Sequence, residues 1–177
     1  MEATDFSLNN TQKAVALACF ELLRGKRARV IVEMPPSSGK SRVIAAIVSM
    51  AAMLGKFARI KLVFSSQFLL DYEWAEYDRL SRVYNLGQLI EIVCLKKGET
   101  LSADADSVII IDEADAVLLD QEVVLAAPFV IGLTGTGLSD KDTSGQDVYL
   151  FKGLGCKYLK TGLQSDIKTE LVSKTQF

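Results

Sequence analysis

The chain has 177 residues, 49% of them hydrophobic and 24% charged, which suits one domain with a packed core and excludes wholesale disorder. Its net charge is −2 and its pI about 5.3, so a surface basic throughout is excluded and any nucleic-acid contact must be local or shared with another domain. The cysteines (Cys19, Cys94, Cys156) are scattered, no C-x-x-C pair occurs and histidine is absent, which argues against a zinc site and a disulfide framework. A reducing intracellular compartment, cytoplasmic or nuclear, is the expectation. Met1 to Leu8 has no apolar run and does not read as a secretory signal, and the longest apolar stretch, Val43 to Leu54, is too short to span a bilayer.

In chain order, Asn10 reads as an N-cap, followed by Ala14, Leu17, Ala18 and Leu22 at helical spacing up to Gly25. Ala28 to Glu33 reads as a short buried strand and Ser41 to Leu54 as a helix stopped by Gly55. Ile60 to Phe64 is strand-like, Phe68 to Tyr84 helical, and Leu89 to Cys94 a strand. Ser107 to Ile111 is the most apolar strand, with a short helix to Leu119, and Pro128 to Leu133 is a further strand. Strands alternating with helices predict an α/β domain: a parallel sheet flanked by helices on both faces, with ligands at the carboxyl ends of the strands. The expected division is a domain over 1–150 and a tail or linker over 151–177, with Ser139 to Gln146 as a loop or domain exit.

Met34-Pro35-Pro36-Ser37-Ser38-Gly39-Lys40-Ser41 lies between a predicted strand and a predicted helix. Phosphate binding asks for inward backbone N–H groups at a helix N-terminus, a lysine for the β and γ phosphates and a hydroxyl for Mg²⁺. Gly39, Lys40 and Ser41 supply the end of that arrangement, and Ser37 and Ser38 its cradle. Met34 stands where G-x-x-x-x-G-K-[ST] has its first glycine, so by spacing alone a solvated helix start is the competing reading.

Val108-Ile109-Ile110-Ile111-Asp112-Glu113-Ala114-Asp115 ends an apolar strand in acids. One carboxylate, Asp112, can hold Mg²⁺ directly or through water, and the next, Glu113, can deprotonate an attacking water. A solvated acidic turn is the competing reading. It weakens because the phosphate loop, the intervening βα units and the acidic strand end come in the order an ATPase needs.

Asp112-Glu113-Ala114-Asp115 resembles the signature of DEAD-type superfamily 2 helicases, and Met34 to Ser41 resembles that superfamily's Walker A, with Pro36 in place of the usual threonine and Ser37 in place of the middle glycine. Gly132-Leu133-Thr134-Gly135-Thr136 resembles its motif III, implying a coupling role for Thr134 and Thr136 together with Asp115. Gln12 looks like the glutamine that reads adenine, a surface glutamine being an equal alternative, and Ser65-Ser66-Gln67 sits where motif Ia touches a nucleic-acid backbone, a simple helix N-cap being the alternative. The resemblance implies a RecA-like P-loop NTPase domain that takes ATP and Mg²⁺, hydrolyses ATP and acts on RNA or DNA.

Glu33-Met34, Gly39 to Ser41, Asp71 to Trp74, Asp112-Glu113 with Asp115, Leu119-Asp120 and Leu133 to Thr136 are also similar to the protein-translocating SecA motor, although the interval Ala116 to Leu133 has no room for that motor's substrate-binding insertion. Superfamily 2 motors close a cleft with a second RecA-like domain that supplies arginines. The last arginine here is Arg82, so the chain reads as half of a motor, expected to be weakly active alone. A helicase or nucleic-acid translocase, a SecA-like polypeptide motor and a non-hydrolysing nucleotide-binding module are the competing functions.

Overall fold

The computed structural model describes residues 7–83, 87–95, 101, 104–119, 127–135, 157–160 and 170–171. The elements run α1 (Asn10–Arg24), β1 (Ala28–Glu33), α2 (Lys40–Met53), β2 (Arg59–Phe64), α3 (Gln67–Val83), β3 (Ile90–Cys94), β4 (Ser107–Ile111), α4 (Ala114–Leu119), β5 (Phe129–Thr134), β6 (Lys157–Lys160) and β7 (Glu170–Leu171). They build one sheet in the order β3-β2-β4-β5-β1-β6-β7. Pairings from β3 across to β6 are parallel, and β7 pairs antiparallel with β6. The expected α/β fold, a parallel sheet of at least five strands flanked by helices, is the fold observed.

The strands are apolar because both faces of the sheet are covered, as a parallel sheet requires. Alternate residues separate into two cores. Val30 and Val32 of β1, Leu62 of β2, Ile110 of β4 and Ile131 of β5 join α1, α2 and Tyr77 of α3 on one face. Ile31, Val63, Ile109, Ile111 and Val130 join Ala114 and Val117 of α4, with Leu95, Leu101 and Ala127, on the other. Gly132 makes this second layer possible: a Cβ there would sit 2.6 Å from Ile31 Cδ1 and 2.7 Å from Ala114 Cβ, so α4 approaches β5 over a missing side chain.

Helix boundaries differ from expectation by about a residue, and the caps explain how. Asn9, not Asn10, caps α1: its Oδ1 accepts from Gln12 N and its own N donates to Gln12 Oε1, both at 2.9 Å. Helix α2 begins at Lys40 and stops before Gly55, which takes φ +63°. Residues 157–160, inside the segment expected to be a tail, extend the sheet by pairing in parallel with β1. Ser139 to Gln146 lies outside the described residues. Among the described residues no helix is long and apolar enough to cross a membrane.

The order of strands positions the site. β1, which leads into the phosphate loop, and β4, which leads into the acids, are not neighbours; β5 lies between them and hydrogen-bonds to both. Since all three are parallel, the loops after β1, β4 and β5 leave the same carboxyl edge of the sheet. Backbone bonds hold the exits in step: Met34 N donates to Thr134 O and Asp112 N to Val63 O, both at 2.9 Å.

Candidate active site

The phosphate loop takes its shape from two left-handed residues. Ser37 has φ +61° and Gly39 φ +78°. The glycine is required at Gly39, where a Cβ would lie 2.4 Å from Gln12 Nε2. Ser37, where superfamily 2 motors carry a glycine, adopts the left-handed turn in spite of its side chain, so the departure in sequence leaves the turn intact at a steric cost. Gly39 is the N-cap of α2 and offers no side-chain cap, and no acid lies in the first turn. The N-terminal N–H groups of α2 and its positive dipole end thus meet no capping side chain, unlike those of α1. That is the electrostatic arrangement an anion needs.

Gln12 is buried rather than a surface glutamine, and both ends of its amide are used. Oε1 accepts from Asn9 N, and Nε2 donates a 2.7 Å hydrogen bond to Ser38 O. It fastens α1 to the middle of the phosphate loop.

Lys40 follows Gly39, and its side chain is only 13% exposed. The ammonium lies 3.8 Å from Glu113 Oε1, a loose ion pair. It also lies against the end of β5: a Cβ on Gly135 would come within 2.7 Å of Lys40 Nζ. The three loops therefore converge on this one charge. Glu113, at φ +50°, is another non-glycine residue in the left-handed region. Each of these two left-handed side-chain-bearing residues costs of order 1–3 kcal/mol.

Asp112 is 6% exposed, and its Oδ1 accepts from Glu113 N at 3.0 Å. Burial first, then the neighbouring charge of Glu113, pushes its pKa up to about 6, with Glu73 adding to the rise; the Glu113 N–H and the Lys40 ammonium oppose it. Asp115, in the first turn of α4, accepts a 2.6 Å hydrogen bond from Thr134 Oγ1. The acidic motif and the Thr-Gly-Thr motif are thus joined directly, while Thr136 lies outside the described residues.

Ser41 faces an unexpected partner. Its Oγ donates a 2.8 Å hydrogen bond to Glu73 Oε1 on α3. Glu73 lies in the Asp71 to Trp74 segment noted for its similarity to the SecA motor, but the sequence gives it no role, and only the folding of α3 brings it near Ser41. Ser66 caps α3, its Oγ accepting from Leu69 N at 3.3 Å, which is the simpler of the two roles anticipated for that loop.

A nucleoside triphosphate with a divalent cation fits these residues. Ser38 Oγ is enclosed with no hydrogen-bond partner among the described residues, Lys40 has one loose contact, and Asp112 is a desolvated carboxylate whose charge a cation would stabilise. Among the described residues no three acidic or thiol side chains close on a point to hold a metal unaided. A magnesium ion takes one or two protein ligands and completes its shell with water and phosphate oxygens, and Ser41 and Asp112 are of the type that could supply them. Burial pushes the Cys19 thiol up to about 12, so that thiol is inert near neutral pH.

No protein-family model matches the chain, and no curated protein matches it. Among solved structures it is similar to the SWI2/SNF2 ATPase core of Sulfolobus solfataricus, solved in complex with dsDNA, with a TM-score of 0.51 and 15% identity over 84% of this chain. The match spans 35% of that structure's length, and at this identity the likeness is one of fold: an α/β core of the RecA-like kind.

Proposed function

We propose that this chain is the ATP-binding half of a superfamily 2 motor ATPase that acts on RNA or DNA, with a RecA-like domain that runs past 1–150 into the 151–177 segment, whose β6 and β7 join its sheet, and with a second such domain completing the cleft. The observation that carries this reading is the convergence of Lys40, Glu113 and Gly135 at one carboxyl edge, with Asp112 beside them. The uncapped N-terminus of α2 and Ser38 would hold phosphate oxygens, and Lys40 would meet the β and γ phosphates as a point charge. Ser41 and Asp112 would hold Mg²⁺, which when bound neutralises charge on the phosphates. Glu113 accepts the proton of the attacking water, and Lys40 orients that carboxylate until phosphate takes the ammonium away. Thr134 and Asp115 join the end of β5 to α4, so a shift at the nucleotide is passed to both. That the structurally similar core was solved with dsDNA is what motivates the choice of a nucleic-acid substrate.

Calorimetric titration with Mg-ATP tests the reading. Lys40→Ala should remove most of the affinity, and Glu113→Gln should keep the affinity while losing turnover, measured with and without RNA or DNA. Equal binding by Lys40→Ala and the parent protein would end it.

A further inference from the structure

We propose that Glu73 is the positioning residue for the Ser41 hydroxyl, turning its lone pairs toward a magnesium ion by accepting its hydrogen bond. The inference rests on reading the phosphate loop as a Mg-nucleotide site. A serine hydroxyl carries one proton and two lone pairs, and it can ligate a cation only when its proton is directed elsewhere. In this chain the proton is engaged by a carboxylate at 2.8 Å, a charge-assisted bond. That leaves both lone pairs of Ser41 Oγ able to accept.

Two features bear on this role. The closest polar contact of Glu73 is the hydroxyl of Ser41, the residue that opens the first turn of α2 after Lys40. The Glu73 charge is felt at Asp112, so it strengthens the negative field at the cation position while acting through a neighbour. Glu73 also rides on α3, whose first turn follows directly from the end of β2 at Phe64. Displacement of that helix would release the Ser41 hydroxyl, so the orientation of this ligand depends on where α3 sits.

The test is the Mg²⁺ dependence of binding of a fluorescent ATP analogue to the full chain, with Mn²⁺ paramagnetic resonance as a direct readout of the metal. Glu73→Ala should raise the half-saturating Mg²⁺ concentration about 10–100-fold, the usual cost of losing a group that orients a ligand, while leaving affinity in EDTA unchanged. Glu73→Met, of similar length but without a strong acceptor, should do the same and serves if the alanine variant fails to fold. Glu73→Gln should restore the parent's dependence, because its carbonyl oxygen can accept the same proton. Ser41→Ala combined with Glu73→Ala should be no worse than Ser41→Ala alone. Unchanged Mg²⁺ dependence in both Glu73→Ala and Glu73→Met, or additive losses in the double variant, would overturn the proposal. If Lys40→Ala bound the analogue as tightly as the parent protein, the site itself would be misread. Loss of binding in Lys40→Ala with unaffected Glu73 variants would sink only the role of Glu73.

Discussion

Thr134 Oγ1 donates to Asp115 Oδ1 at 2.6 Å, which ties the last residue of β5 to the first turn of α4. Thr134 is fully buried. Thr134→Val keeps the shape and removes the donor, and the cost of weakening a buried, charge-assisted bond is about 1–3 kcal/mol. Urea denaturation should show that loss, and Thr134→Ser should recover most of it. A Thr134→Val protein as stable as the parent would mean that the bond adds nothing net.

The two glycines of the same segment should behave oppositely. In Gly132→Ala the new methyl meets Ile31 and Ala114 within a packed core, and overpacking of this kind costs about 1–3 kcal/mol. In Gly135→Ala it meets the flexible end of Lys40, which can move aside. Stability should then change little, while Mg-ATP affinity falls because the ammonium has left its place. Thermal melting and calorimetric titration on both variants separate the effects, and the reverse pattern would contradict the geometry at Lys40.

Asp112 should make stability depend on pH. Its folded pKa of about 6 lies above the ordinary value of 3.8, so the folded state binds the proton more tightly than the unfolded chain does. The contribution is fully present below pH 4 and is lost as pH rises through 6, a swing of about 3 kcal/mol for two pKa units. In metal-free buffer Asp112→Asn should therefore be more stable than the parent at pH 7.5, with the gap closing toward pH 4. Parallel stability profiles for the two proteins would show that Asp112 is not held in this state.

Ser37 should gain from losing its side chain. A left-handed serine costs about 1–2 kcal/mol, partly offset in Ser37→Gly by the greater freedom of glycine in the unfolded chain. A net stabilisation of about 0.5–1 kcal/mol is expected, and Ser37→Val should destabilise by more. Thermal melts of both variants measure it, and a less stable Ser37→Gly would mean that the hydroxyl supplies something the turn geometry does not reveal.

Much of this protein was legible in one dimension. Runs such as Val108 to Ile111 have no polar face, and chains of that kind can be buried only between two layers, so the α/β class followed from composition and alternation. Gly39-Lys40-Ser41 and Asp112-Glu113 were also legible, because their chemistry depends on residue type at short spacing beside a strand end. Other features were decided by folding alone. That β5 separates β1 from β4, and so brings Gly135 against Lys40, depends on strand order, which local sequence does not encode. Gln12 could not be told from a surface residue until α1 lay against the phosphate loop and its amide met Ser38 O. The contact of Glu73 was hidden for the same reason: 32 residues separate it from Ser41, and only the packing of α3 closes that separation to a hydrogen bond. Short-range chemistry is written in neighbouring residues, whereas contacts across the sheet edge exist only once the parallel strands have aligned their carboxyl ends.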